Sequence, residues 1–282
     1  MSIAAASPCA VTFADAPACE GALLLPVRGV RGGLAFAVQD WVAQEVPVAL
    51  EFNGISHAVM LATPMDLEDF ALGFSLTEGI LDGAHELYGV EAEPSEQGIT
   101  VRLEVAGAAF ARLKQKRRSM AGRTGCGLCG TESLAHVSRA LPVLDDGAPI
   151  DRRAIAKAMA RLQAQQTLQQ ATGAVHAAAW CSAQGEVVLL REDVGRHNAL
   201  DKLVGALASA EVEAAGGFIA VTSRASFEMV QKTAMAGVPL LAAVSAPTSF
   251  AVATAERARL TLVGFARKDD LVVYCRPERL RN

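Results

Sequence analysis

The stretch of this sequence richest in reactive groups is "GRTGCGLCG", Gly122 to Gly130, where Cys126 and Cys129 stand in a C-x-x-C pair among four glycines. The basic run "RLKQKRRSM" lies just upstream. A structural zinc site needs four ligands, normally two such pairs or one pair with two histidines. Only one pair exists, and His57, His85, His136, His176 and His197 show no H-x₃₋₅-H spacing, so no metal is expected. A thioredoxin-type dithiol would sit at a strand end in a small βαβ unit. Here the glycines and the basic run predict an exposed loop that swings. Arg117, Arg118 and Arg123 lower the pKa of a neighbouring thiol. A drop of about two units raises the thiolate fraction near neutral pH, but the lower nucleophilicity of such a thiolate returns a similar factor. Departure improves more clearly, as when sulfur is pulled from a persulfide on Cys126 or Cys129. The plainer alternative is a solvated basic linker carrying two incidental thiols.

A second group of polar residues falls in four loops: "REDVGRHN" (Arg191 to Asn198), "SRASF", "SAPTS" and "FARKDD" (Phe265 to Asp270), the last read as a hairpin tip. In the first, Asp193, Arg196 and His197 crowd a turn that Gly195 permits and Asn198 can cap, with Asp201 three residues on. That density suits either a ligand loop or a cap with surface salt bridges. The elements around these loops favour a site. From Gly173 onward, nearly continuous apolar strands such as "GFIAVTS" and "PLLAAVS" alternate with amphipathic helices, which predicts an α/β sheet covered on both faces. Ligands collect beyond the carboxyl ends of such strands, where the next helix offers unpaired N–H groups.

Upstream, Asn53-Gly54 between apolar runs predicts a tight hairpin. "TPMDLEDFALGFSLTEGIL" predicts a helix over 64–78 with Thr63 as cap, its first-turn acids Asp66, Glu68 and Asp69 serving the helix dipole. "YGVEAEP" and "GITVRLEV" read as a strand pair. The organisation is therefore a flexible N-terminal lead-in (1–40), a small α+β domain (41–111), a basic Gly-rich linker with the thiol pair (112–130) and an α/β domain (131–282). With 51% hydrophobic and 20% charged residues and a net charge of −4, the chain is globular and lacks the basic field of a nucleic-acid binder. No apolar run reaches membrane-spanning length and the first residues lack a charged signal region, so a cytoplasmic location is expected. The six cysteines then read as thiols.

Several segments together resemble the FdhD family, the sulfur carriers required for formate dehydrogenase activity. They are "DLEDFALGFSLTEGI", "GCGLCG", "TGAVHAAAW", "EDVGRHNALDKLVG", "SFEMVQKTAMAGVPLLAAVSAPTSFAV" and "LTLVGFAR", in that order across residues 30 to 275. The pattern departs at Ala174 and Ser223, where the family would have loop glycines. The resemblance implies transfer of persulfide sulfur from a cysteine desulfurase to the molybdenum bis(guanine dinucleotide) cofactor before it enters formate dehydrogenase. It also implies a homodimer and a core like the cytidine-deaminase α/β fold, preceded by a smaller domain. Carried over by motif, Cys126 bears the persulfide and Cys129 is its partner. The "GFAR" region is implied in cofactor contact, which singles out Phe265, Ala266 and Arg267. Lys268, Asp269, Asp270, Arg196, His197 and Arg224 complete the expected rim, with GDP as a mimic of the cofactor's ends. A zinc deaminase on the same fold would need a His-x-Glu and a Pro-Cys-x-x-Cys; Ala178 and Gly125 stand where that Glu and Pro would be. A disulfide oxidoreductase and a noncatalytic cofactor-holding chaperone remain as rival readings.

Overall fold

The computed structural model describes residues 19–120, 141–145 and 147–281. It opens on an antiparallel hairpin, β1 (Ala22–Arg31) and β2 (Leu34–Ala43), turned at Gly32 and Gly33, whose φ angles of 59° and 83° suit a two-residue loop. Residues 22–40, expected as lead-in, are thus strand and turn.

The small unit follows. Strands β3 (Val46–Phe52), β4 (Ile55–Ala62), β5 (Leu87–Ser95) and β6 (Gly98–Val105) form a sheet in the order β4-β3-β6-β5. Asn53 and Gly54 make the expected turn, both at positive φ. Alternate residues Val48, Leu50 and Phe52 on β3, with Val101 and Leu103 on β6, turn to one core. Helix α1 (Leu67–Thr77) supplies Phe70 and Phe74 to it, and α2 (Gly107–Met120) supplies Ala109 and Leu113. Helix α2 takes in the run from Arg112 that was expected as linker, because Arg, Leu, Lys and Gln are good helix formers with no Gly or Pro among them. Arg112 ties it down, its Nε donating to the Ile80 carbonyl at 3.2 Å and its fork pairing with Asp82 and Glu86.

The second unit contains α3 (Arg152–Gln165), α4 (Thr167–Thr172) and a six-stranded sheet: β8 (His176–Ser182), β9 (Val187–Asp193), β10 (Gly217–Val221), β11 (Leu240–Ala243), β12 (Thr261–Arg267) and β13 (Asp270–Cys275). A short parallel pair, β7 (Ile150–Asp151) with β14 (Leu280–Arg281), joins the unit's two ends. The sheet order is β13-β12-β11-β10-β8-β9. One face is covered by α5 (Arg196–Ser209), α6 (Phe227–Met235) and α7 (Ser249–Ala258), the other by α3. The α/β class is as expected from sequence; the finer likeness to a deaminase core is what the family resemblance implies. Because β8 runs antiparallel to both neighbours while β10, β11 and β12 are parallel, β9 to β12 all point the same way. Their carboxyl ends form one rim.

The two units meet along α1 and α5. A Cβ on Gly73 would lie 1.7 Å from the Asp201 carbonyl oxygen, and one on Gly205 1.9 Å from that of Asp69, so only glycine lets these helices approach so closely. Charged groups pin the seam. Arg191 grips Asp69 through Nε at 2.9 Å and a terminal nitrogen at 2.6 Å. Asp69 therefore answers to β9 rather than simply to its own helix dipole. Lys232, with Asp201 at 2.9 and 3.0 Å, also reaches Thr77 Oγ1 and Glu78 of the small unit. The Asp201 carboxylate beside it raises the Lys232 pKa despite full burial. Thr63, expected to cap α1, instead joins a buried knot. Its N–H donates to Asp193 Oδ2 at 3.0 Å, its Oγ1 accepts from the Val194 N–H, and its carbonyl accepts from Lys202 Nζ at 3.0 Å. Helix α1 consequently begins at Leu67, behind Asp66, which sits at φ 49° without a side-chain cap bond.

Candidate functional site

The rim is built loop by loop. After β9, Asp193 accepts from the Gly195 N–H at 2.7 Å and from Asn198 Nδ2 at 3.0 Å, while its second oxygen lies 2.8 Å from Lys202 Nζ. That knot fixes the turn that presents Arg196 and His197 on the first turn of α5. Asn198, expected to cap, reaches instead to the Leu61 carbonyl and Asp193. Gly195 has an ordinary φ of −99° and serves by closeness, since a Cβ there would stand 2.8 Å from Asn198 Nδ2.

His197 Nε2 lies 2.6 Å from Glu228 Oε2 on the first turn of α6. The close approach of His197 holds the Glu228 carboxyl below its ordinary pKa, against burial. His176, at the start of β8, is pulled below the ordinary imidazole value by burial and then by the charges of Arg196 and His197. Neither His176 nor Glu228 was singled out from sequence. A first-turn acid on the helix after "SRASF" was the available signal for Glu228; His176 stood in the family segment "TGAVHAAAW" and as the His of an incomplete His-x-Glu, signals that did not point to the rim.

From there the rim continues as a hydrogen-bonded ledge. The loop after β10, which carries an exposed Arg224, bridges the loop after β11 through Ala225 and Pro247, with the Thr248 N–H donating to the Ala225 carbonyl at 3.2 Å. The loop after β11 in turn holds the turn between β12 and β13: Arg267 Nε donates to the Val244 carbonyl at 3.0 Å and the Phe265 N–H to the Ser245 carbonyl at 3.3 Å. Gly264 permits this contact, because a Cβ there would meet Pro247 Cδ at 3.0 Å. Phe265, Arg267, Lys268, Asp269 and Asp270 are exposed on this hairpin tip, as expected. Ala266 is different. A bulge at Phe265, whose φ is 52°, breaks the alternation of β12 and turns the Ala266 methyl into the α3-facing core beside Val263, so it can offer a ligand only its backbone. Ala174 and Ser223, the two departures from the glycine pattern, sit at ordinary φ and need no glycine.

Three features make the ledge suited to anions and flat rings. Helices α5 and α6 start at Gly195 and Ser226 without a side-chain cap bond, leaving first-turn N–H groups for a ligand. Among the described residues, Arg196 Nε and Ser226 Oγ are buried at those two starts with no hydrogen-bond partner. Phe227 and Phe250, at the starts of α6 and α7, stack with centroids 4.6 Å apart, and Phe250 is exposed. Helix α7 differs in having its own cap, Thr248, which accepts from the Ala251 N–H.

Cys126, Cys129 and Arg123 lie outside the described residues, while Arg117 and Arg118 lie on the last turns of α2. Of the described thiols in the α/β unit, burial pushes Cys181 up to about 12 and Cys275 up to about 11. Among the described residues no group of three or more His, Cys, Asp or Glu is placed to hold a metal, and no helix is long and apolar enough to cross a membrane.

Comparison with known proteins agrees with this architecture. The chain is 69% identical over 271 residues to the sulfur carrier protein FdhD of Variovorax paradoxus, covering 96% of this chain and 98% of that one. It is 55% identical over 263 residues to the protein of the same name from Bordetella petrii, covering 93% and 94%. A crystal structure of a candidate formate dehydrogenase accessory protein from Desulfotalea psychrophila shares the fold, with a TM-score of 0.73 at 24% identity over 92% of this chain and 99% of that one. The model of the FdhD/NarQ family matches residues 43–281, which take in both units and the whole ledge, and the chain belongs to that family.

Proposed function

We propose that this chain is a cytoplasmic sulfurtransferase of the carrier type. Cys126 takes sulfur from the persulfide of a cysteine desulfurase and delivers it to the molybdenum bis(guanine dinucleotide) cofactor, bound as substrate, before a formate dehydrogenase receives that cofactor. In the loading step the Cys126 thiolate attacks the outer sulfur of the donor persulfide. A new S–S bond forms as the donor's breaks, and the donor cysteine leaves as a thiolate, so neither oxidant nor reductant is consumed. Cys129 is its partner in the pair, and the basic run ahead of them favours the Cys126 thiolate that departs on delivery; that thiolate keeps the electron pair of the broken S–S bond, so the pair for the bond to the delivered sulfur would come from the acceptor. Family membership, with close relatives named as sulfur carriers, is the observation that carries this half of the reading. The raised pKa values of Cys181 and Cys275 support it, since buried thiols of that kind are poor nucleophiles.

The ledge is the proposed seat of the cofactor's guanine-nucleotide ends. Phosphate goes to the uncapped starts of α5 and α6 beside Arg196, His197 and Arg224, and bases go to Phe265 and the exposed face of Phe250, with Arg267 and Lys268 adding charge. Asp269 and Asp270 offer acceptors to a guanine N–H edge. Arg196 Nε and Ser226 Oγ, without a hydrogen-bond partner among the described residues, support this placement most directly. GDP is the probe. Calorimetric titration should show binding that weakens with salt, and Arg196→Ala and Arg267→Ala should each cost about tenfold in affinity, the worth of one charge-assisted contact. Equal affinity in parent and variants would move the nucleotide off the ledge. Activation of formate dehydrogenase that survives Cys126→Ala would favour a chaperone that only holds the cofactor.

A further inference from the structure

His176 stands at the rim beside the nucleotide seat. It opens β8, and because that strand runs against β9 and β10, its amino end arrives where their carboxyl ends lie. The register sets His176 across from Asp193, and the neighbouring Ala177 N–H donates to Thr222 Oγ1 at 2.9 Å. The histidine therefore sits between the Gly195 turn and the loop that carries Arg224. Alternation gives its half-buried ring a direction. Ala178 and Trp180 turn to the core under α5, α6 and α7, whereas Ala179 and Cys181 turn to the α3 side, so His176 belongs to the face on which α5 and α6 begin.

The charges around this ring are lopsided. Burial first, and then the charges of Arg196 and His197 on α5, hold it below the ordinary imidazole value, while Asp193 on β9 pulls the other way with the smallest effect. The carboxylates nearby have other partners. Asp193 accepts from Gly195 and Asn198 with one oxygen and meets Thr63 and Lys202 with the other. Glu228 on α6, which also feels the charge of Lys232, stands 2.6 Å from His197 Nε2. Among the described residues, His176 thus faces cations while the carboxylates beside it are engaged elsewhere, and Arg196 Nε is buried close by with no hydrogen-bond partner. We infer that His176 is a further ligand of the phosphate seated at the starts of α5 and α6, and that it takes up a proton when that phosphate binds. This role rests on the ledge being the seat of the nucleotide ends. An anion placed among these groups reverses the field at the ring, favours the imidazolium, and receives a charge-assisted hydrogen bond from it. The proton comes from solvent, so binding and protonation are linked. Because the free-state pKa is depressed and the bound-state pKa is higher, His176 adds affinity as pH falls through the interval between them and adds none well above it.

Calorimetric titration of GDP into the full chain, parent and His176→Gln, across a range from about pH 6 to about pH 8.5 tests it. Glutamine keeps a donor and loses the titration. The parent should bind about tenfold more tightly than the variant near the acid end, the worth of about one pKa unit, and equally tightly near the alkaline end. The nucleotide's own phosphate, with a pKa of about 6, titrates alike for both proteins, so the ratio isolates the histidine. Proton uptake needs no variant: near neutral pH the parent's binding heat should vary with the ionisation enthalpy of the buffer in the sense of protons taken up, and His176→Gln should take up fewer. A parent-to-variant ratio that is flat in pH, a parent that binds GDP with no proton uptake, or a variant that takes up as many protons as the parent overturns the role of His176. If Arg196→Ala still weakens GDP in that case, the seat stands and only the histidine falls. A parent that binds no GDP overturns the seat and the role together.

Discussion

Replacing Gly205 by Ala places a methyl carbon where the Asp69 carbonyl oxygen stands 1.9 Å away. That is roughly 1.5 Å inside the ~3.5 Å at which such atoms meet favourably, so α1 and α5 must separate. The obstacle is backbone on the other helix, and no rotamer change relieves it. Separation strains the three clasps of the seam: Arg191 with Asp69, Lys232 with Asp201 and Thr77, and Thr63 with Asp193 and Lys202. Alanine returns about 1 kcal/mol through helix propensity, whereas overpacking a tight contact costs about 1–3 kcal/mol and each weakened charged hydrogen bond about 1.5–3 kcal/mol more. A net loss of about 3 kcal/mol is expected, near 6 °C in midpoint for a chain of this size. Urea and thermal unfolding followed by circular dichroism measure it. Because the Asp193 knot also sets the Arg196 turn, GDP affinity should fall in the same variant. An unchanged or raised midpoint would mean the helices have slack, and the tight seam would be refuted.

Lys232→Met should cost about 3–5 kcal/mol, because it strands the Asp201 carboxylate without its cation, and adding Asp201→Leu should recover most of that loss in urea titrations. The folded pKa of His176 lies below its unfolded value near 6.5, so its contribution to stability is present above that pH and is lost as pH falls toward the folded pKa. His176→Gln should therefore flatten the acid side of a stability-versus-pH curve; an unchanged slope would argue against the burial of its charge. Cys181→Ala and Cys275→Ala should leave sulfur uptake at parent level in a desulfurase assay, since both thiols stay protonated near neutral pH.

Much of the α/β unit was legible because its signals are local. Continuous apolar strands such as "GFIAV" and "LLAA" alternate with amphipathic helices, and Asn53-Gly54 turns where positive φ is needed. The rim loops fell together because the strands before them run in one direction. Elsewhere the deciding partners are far away in sequence. Thr63 looks like a cap until Asp193 is brought to it, and Asp201 looks like a surface acid until Lys232 lies beside it. His197 meets Glu228 only because α5 and α6 start at the same rim. The first hairpin is another case: Gly32-Gly33 carries the same turn chemistry as Asn53-Gly54, but Pro26 and the exposed apolar flanks mask the alternation that normally marks a strand.

The central claim is that Cys126 carries sulfur, and intact-mass analysis after incubation with a cysteine desulfurase and cysteine tests it most directly. The parent chain should gain the mass of one sulfur atom, the gain should vanish on treatment with a thiol reductant, and Cys126→Ala should show none. A parent that never gains sulfur, or a Cys126→Ala protein that gains it as readily as the parent, would contradict the assignment.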